Sequence, residues 1–543
     1  MRLPRSVVFG SAPYHLSLWG PAPAEPALTL RDPWPGDVER GAALLTGEFH
    51  LAGGIVRAQT PPWTTDALQT AAPLQGLLAA LHGFSWLDDI AAAGAAEGWK
   101  KAEAWAADWL DRCDAWEATA WRADVAADRA IAWLTHWGRL STDAALRRRL
   151  MASLARQMRH LDRVAMVEAA GVPRLRALRG LIAAAAACGA EGKLDRALRK
   201  LAREVDRQIL PDGGHATRSP KAQLAALMAL IDARSILRAA EKEVPQALQS
   251  AIDRAAPMLR FFRHGDGGLT LFNGSDEDTA DRIDLVLARA DAKGRAPLSA
   301  PHSGFQRLQA GRSLVLADAG APPPRGFDDE AHAGILSFEM SYGRERLIVN
   351  CGGYDGSNAQ WRAAARTTAA HSTLIVADTN AGELRADGGF VRAPHLIACE
   401  RAEEDGAQWF QASHDAYEPS FGLRHARQLF LSADGEDLRG EDRLTGRAGQ
   451  AFAIRFHLHP LVQASLTQEG STVLLRLPSG TGFRLRAQGA VMSLAESVYL
   501  SGGEPRKSQQ VVLDGHVGSG GATAKWALKR EGKKSSDHGG ADV

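Results

Sequence analysis

The stretch LSFEMSY at residues 336–342 puts Leu336, Phe338, Met340 and Tyr342 on one side and Ser337, Glu339 and Ser341 on the other. Successive side chains of a strand point to opposite faces, so this alternation predicts a sheet with one buried face. The two-residue period returns at 452–459, where Phe452, Ile454, Phe456 and Leu458 alternate with Ala453, Arg455, His457 and His459. We read the face carrying Arg455 and the two histidines as solvated exterior. Between these stretches, LFLSADGEDLRG (429–440) holds Asp434-Gly435, a pair suited to a tight hairpin turn. Short alternating strands with turn signals, from about residue 300 onward, predict antiparallel sheets stacked as a sandwich.

Upstream the period changes. Trp105, Trp109 and Cys113 form one stripe, Leu150, Leu154, Met158 and Leu161 a second, and Leu194, Leu198, Leu201, Val205 and Ile209 a third. Recurrence every three or four residues is the helical period, and abundant alanine favours close helix packing. No fixed-length repeat recurs, so a nearly closed ring of antiparallel helix pairs fits better than a repeat array. The expected class is α+β multidomain: an N-terminal incomplete α/α-toroid followed by a C-terminal antiparallel β-sandwich. The expected divisions are an N-terminal extension at 1–65, a toroid at 66–298, a sandwich at 299–528 and a disordered tail at 529–543. The stretch RADAKGRAPLSAPHSG (289–304) marks the junction.

A chain of 543 residues exceeds what one core usually organises. Its 64 basic and 63 acidic residues leave a net charge of +1, so no overall field recruits nucleic acid. No apolar run reaches the length of a membrane span. The opening MRLPRSVVFGSAPYHLSLWG has two early arginines, but Pro13, His15 and Ser17 interrupt it and no clear export signal follows. Cys113, Cys188, Cys351 and Cys399 are scattered, which reads as small buried hydrophobes and not as a disulfide frame.

Polar residues gather at a few points. In the helical half they include Trp86, Asp88 and Asp89; Gln157 and His160; Arg174; and His215 with Arg218 beyond the Asp212-Gly213-Gly214 turn. Asn273 follows a second glycine-rich turn. Each has a plain structural reading, since arginine and histidine at helix ends often only complement the helix dipole. In the sandwich half, Arg362 and Arg366 lie between His332 and His371, beyond Gly352, Gly353 and Gly356. Such a loop suits an acidic group, because guanidinium matches carboxylate or sulfate geometry.

The segments EAHAGILSFEMSYGRERLIVNCGGYDG (330–356), RTTAAHSTLIVAD (366–378), HGFSWL (82–87), LAREVDRQILPDGGHATRSP (201–220) and APMLRFFRHGDGGLTLFNG (256–274) resemble the bacterial heparinase II/III family. The resemblance runs from about residue 40 to 525 and implies an α/α-toroid before a β-sandwich, the order reached above from periodicity alone. It also implies polysaccharide lyase chemistry, β-elimination at a uronic acid. That reaction needs a neutralised carboxylate, a base for the C5 proton and an acid for the leaving oxygen. Characterised members resembling this chain use a tyrosine with an Asn or His partner, and a His-Gly-His-Ala-Asp segment with a later Asp and His around zinc. Here Val172-Pro173-Arg174 stands at the Asn/His stretch and Ala222 at the tyrosine. Glu330 replaces the first histidine, Gly334 the aspartate and Asn350 the later aspartate, while His332 and His371 match.

The expected function is therefore a lyase-like protein acting on acidic polysaccharide. Arg174 would neutralise the carboxylate, His215 would be base or acid, and His332 would assist. Trp86, Gln157, His160, Arg218, Asn273, Arg362 and Arg366 would bind substrate. His332, Asn350 and His371 would form a weak or vestigial zinc site, and no cofactor is required. Two alternatives stand beside it. One is a non-catalytic glycan-binding or envelope-biogenesis protein. The other is a glycoside hydrolase pairing Glu330 with Asp212 or Asp89. The resemblance points to the periplasm or cell envelope, and the absence of a clear signal leaves the cytoplasm as the alternative.

Overall fold

The computed structural model describes residues 8–31, 34–51, 54–61, 63, 74–167, 170–356, 358–467 and 470–532. Its first half is helical. The helix Gly171–Ala187 packs against Ala123–Thr135 and Pro220–Ala239, and also against Ala144–Val164 and Glu191–Gln208. The small residues of LIAAAAACGA explain this crowding. Any side chain at Gly180 would collide with the Ala127 backbone, and Ala183, Ala184, Ala185 and Ala187 are fully buried. The tryptophans fill the core at the start of the ring: Trp86, Trp109, Trp121 and Trp133 are all inaccessible to solvent.

Two helices from the stretch expected as an N-terminal extension pack directly on the helical half. The helix Ala12–Leu18 lies on Ala144–Val164, with the Tyr14 hydroxyl 2.7 Å from His160 Nδ1. The helix Val38–Leu45 packs on Trp86–Ala93, where Arg40 pairs with Asp89 at 2.8 Å. At the other end the strand Ala522–Arg530 is fully paired, so order runs past residue 528. The rest of the expected tail, 533–543, lies outside the described residues.

After the helix Ala280–Ala290 the chain becomes strand, beginning at Ser299–Ala300. Among the described residues two large antiparallel sheets form. One has eight strands, ordered Leu396–Glu404, Ala407–His414, Leu423–Leu431, Asp437–Gly446, Ala522–Arg530, Gly482–Gln488, Thr472–Arg476 and Gln463–Leu466. The other has nine and contains Phe338–Tyr342 and Ala451–Leu458. Leu423–Leu431 and Asp437–Gly446 are the hairpin predicted at Asp434-Gly435, and Gly435 takes the left-handed φ of 74°. Phe338, Phe456 and Trp526 stack in the core between the sheets.

The helical half docks on the nine-stranded sheet. Arg307 donates to the Phe261 carbonyl at 2.7 Å, Arg346 to the Leu269 carbonyl at 2.8 Å, and His264 meets Glu339 at 2.9 Å. Elsewhere on this sheet the segment 367–371 folds over its own strands, which corrects the reading of His457. It is buried, with ring nitrogens 2.7 Å from Ser497 Oγ and 2.9 Å from the Ala369 carbonyl. His459 is half-buried, edge-on to Tyr499.

Candidate functional site

Where the helical half meets the sandwich, a cavity of about 440 Å³ is lined by Gly274, Glu330, His332, Tyr354, Arg362 and Arg366. Glycines allow the backbones to close this tightly: a side chain at Gly353 would strike the Gly274 carbonyl. Asn273, in the left-handed region at φ 46°, ties the two halves together. Its amide donates to the Arg218 carbonyl at 3.0 Å and accepts from the His332 backbone at 3.2 Å. The substrate role expected for it gives way to this bridging one.

The two arginines of the loop differ. Arg366 donates to the carbonyls of Ala331, Arg385 and Gly389 at 3.0–3.1 Å, so its guanidinium pins backbone. Arg362 sits on the exposed face of the helix Ala359–Ala365 and faces the cavity. Tyr354 also lines it, a residue the sequence reading passed over although it directly follows Gly352-Gly353. Across the mouth Lys221 pairs with Asp355. Asp329, Glu330, Asp355 and Asp387 place four carboxylates around this opening, against the cations Arg362, Arg366 and Lys221.

His332 and His371 meet edge-on, with His332 Nδ1 3.2 Å from His371 Nε2. His371 Nδ1 lies 2.7 Å from the Thr367 carbonyl and must donate to it. Its Nε2 then accepts, and the His332 Nδ1 proton fills the space between the rings. Burial, with the neighbouring ring and Arg366, holds His332 well below the ordinary histidine range; burial takes His371 down to about 4. Asn350 turns away from both: its amide donates to Glu339 at 3.1 Å and accepts from the Ser372 backbone at 2.9 Å. Gly334 offers no ligand and packs against the His371 ring. Among the described residues no group of three or more His, Cys, Asp or Glu is arranged to hold a metal ion. The residues present do not fit the zinc that the resemblance implies.

The remaining expected site residues are structural. His215 is 1% exposed; Thr217 Oγ1 lies 2.8 Å from its Nδ1 and Gln208 Oε1 2.9 Å from its Nε2. Gln208 already donates to the Gly171 carbonyl and to Glu204, so its oxygen accepts from His215. Both ring nitrogens are committed, and burial pushes the ring down to about 3. Arg174 completes the relay, pairing with the fully buried Glu204 at 3.2 Å. His215 and Arg174 thus come together, but in packing between helices. Gln157 lies elsewhere, bonded to Arg129 and Ser153, and His160 holds the Trp121 carbonyl and Tyr14. Trp86 is inaccessible and donates to the Leu81 carbonyl, so it offers no stacking platform. Arg218 is buried, paired with Asp318 and donating to the Ser303 carbonyl at 2.6 Å. The carboxylates of the hydrolase alternative are not assembled either. Asp89 is held by Arg40, and Asp212 accepts from Ser303 and the Gly214 backbone. Two patterns explain these corrections: Trp86, Gln157, His160 and Arg174 are helix residues that serve as buried packing partners, and Asp212 and Arg218, in the connection between two helices, tie it to the segment 303–318.

Comparison with known proteins agrees with the architecture. The Heparinase II/III-like, C-terminal family model matches residues 292–527. The crystal structure of heparinase III superposes with a TM-score of 0.71 at 14% identity, covering 95% of this chain and 88% of that one. A mutant of heparan sulfate lyase HepC from Pedobacter heparinus gives 0.65 at 18%, covering 92% and 83%. At such identities the likeness establishes the fold alone. Among the described residues no helix is long and apolar enough to cross a membrane. FtsZ-localized protein C of Caulobacter vibrioides is 35% identical over 96% of this chain and 94% of its own length. The chain belongs to the same family as FtsZ-localized protein C, and its C-terminal half is heparinase II/III-like.

Proposed function

We propose that this chain is a saccharide-binding member of the heparinase-fold family that does not run β-elimination, and that it localises with FtsZ. The observation that carries this reading is His215. A base must have a free lone pair within reach of substrate, whereas both His215 nitrogens are committed inside the protein. Ala222 stands where the lyases carry a tyrosine, and Arg174 is neutralised by Glu204. The full-length relative named for its localisation with FtsZ supports the cellular half of the proposal. The cleft remains as a binding site, with Arg362 and Tyr354 facing its cavity.

Incubation with a panel of uronic-acid polymers tests the chemical half, reading absorbance of the unsaturated product beside new reducing ends. Neither should rise while binding persists. A rise in both overturns the reading, and reducing ends alone mean hydrolysis. A fluorescent fusion should colocalise with FtsZ and lose that localisation on FtsZ depletion.

A second reading has its own observation. His332, Tyr354 and Arg362 line one cavity, and together they hold a neutral imidazole, a phenol and a free guanidinium. Elimination on that set would be abolished by Tyr354→Phe with polymer binding retained.

A further inference from the structure

The eight-stranded sheet turns one face to the core and the other away from the helical half, which docks on the nine-stranded sheet. Its outer face is not an ordinary solvated surface. Strand register sets two rows of outward side chains straight across it. One runs Trp409, Phe430, Arg439, Ala527, Arg486; the other runs Gln411, Gln428, Glu441, Lys525, Gln488. A groove of about 510 Å³ opens over four of these five strands, lined by Gln428, Phe430, Arg439, Arg486, Gln488 and Lys525 among others, and Trp409 and Gln411 continue the rows on the next strand beyond its lining. Neighbouring strands lie about 4.8 Å apart, so a row across five strands extends roughly 20 Å.

We propose that this groove is a second binding site, for a chain of carboxylated polysaccharide. The inference rests on the reading of this protein as saccharide-binding, and it assigns the acidic polymer to the outer sheet instead of the cleft. Trp409 and Phe430 are directly paired on adjacent strands and only half-buried; the Arg439 guanidinium lies 5.7 Å from the Phe430 ring, so Trp409 supplies the open flat surface for a pyranose ring. Gln411, Gln428 and Gln488 flank them with amides, which both donate to and accept from hydroxyls. Arg439 is paired with Asp437 at 2.7 Å and Lys525 with Glu441 at 3.4 Å, which leaves the exposed Arg486 as the groove cation that meets an anion. The cleft has the opposite balance, with four carboxylates around its mouth. An acidic peptide is the less suitable occupant. Extended peptides add to sheets along an exposed strand edge, through main-chain hydrogen bonds, and this groove lies over the middle of a sheet.

Calorimetric titration of the full chain tests this with three probes: a polyuronate, a neutral glucan and polyglutamate. Polyuronate should bind, and binding should weaken with salt. Trp409→Ala should raise its dissociation constant about five- to tenfold, the loss of one stacking partner. Arg486→Glu, an exposed substitution that leaves the core untouched, should weaken polyuronate more than neutral glucan. Polyglutamate binding as tightly as polyuronate overturns the proposal, and so does a Trp409→Ala protein that binds polyuronate unchanged. Polyuronate binding lost in Arg362→Ala but kept in Trp409→Ala overturns this site while the cleft reading stands. No binding of any saccharide overturns both.

Discussion

Two histidine pairs in the sandwich half have nearly the same geometry and opposite surroundings. His332 and His371 meet with ring centroids 5.2 Å apart at 83°; His414 and His425 meet at 5.1 Å and 83°. The first pair ends on a backbone carbonyl, and its His332 lines the cavity. The second is sealed between the sheets and ends on a carboxylate, with His425 Nε2 2.8 Å from Asp442. Asp442 also accepts from Arg427 at 2.8 and 3.1 Å and from Trp526 at 3.1 Å. Had only ring geometry been considered, the pair with the carboxylate would look like the active one. Access separates them: the core pair has no path to a substrate, and the cleft pair lacks the carboxylate that would hold a metal or orient a base.

The strongest break falls on the core. Arg427 donates to Asp442 and, through Nη1, to the carbonyls of Leu336 and Ser372. It therefore clamps the segments that carry His332 and His371. Arg427→Met leaves Asp442 buried without its cation and should cost about 3–5 kcal/mol in the sandwich unfolding transition. His332→Ala, at the edge of the cavity, should cost only about 1 kcal/mol, the net worth of one hydrogen bond. Urea unfolding of both variants reads the difference. Equal losses would mean that the two pairs are not the distinct structures described.

A smaller break tests why the cleft pair has no metal partner. Glu339 Oε1 accepts from Asn350 Nδ2 and Asn350 N at 3.1 Å and from Leu271 N at 3.0 Å; Oε2 meets His264 at 2.9 Å. An aspartate at 350 would set a second carboxylate against this fully buried one and remove a donor. Asn350→Asp should therefore lose about 1–3 kcal/mol instead of restoring a site. Melting the variant with added zinc and with chelator checks it. A zinc-dependent rise of several degrees would show that the neighbourhood still accepts a ligand set.

The architecture was legible because it depends on period. Alternation at 336–342 and the three-to-four spacing at 105–113 and 194–209 are set by which faces are buried, and burial follows hydrophobicity along the chain. The Asp434-Gly435 turn was legible because few residues adopt its φ. The site was much less so. Arg218, Arg366 and Asn273 are polar residues near turns, as ligand-binding residues are, yet their partners are backbone carbonyls and amides far away in sequence. Periodicity carries no information about such partners. His457 was misread because one strand cannot reveal that a second layer covers its other face. Tyr354 and the outer rows of the eight-stranded sheet emerge only once cross-strand register is known.

The smallest expected effect sharpens the comparison through pH. Burial, with His425 and Arg427 beside it, holds His414 well below the ordinary histidine range, and burial lowers His425 too. His414 is therefore neutral when folded. On unfolding each ring regains an ordinary pKa of about 6.5. Above that value neither state is protonated and the full stability is present. As pH falls below it the unfolded chain takes up protons that the folded core refuses, so stability drops by about 1.4 kcal/mol per pH unit for each such ring. His414→Gln removes one of these rings and keeps an amide that can face His425. The variant should be less stable than the parent at pH 7.5, and its deficit should shrink steadily between pH 6.5 and 5. Buried histidines outside this pair titrate identically in both proteins and cancel from the difference, while His425 keeps its bond to Asp442 and loses only the neighbouring ring. Urea midpoints measured across that range give the slope directly. Parallel curves would mean that His414 is protonated in the folded core, and the contrast between a sealed pair and an accessible one would no longer hold.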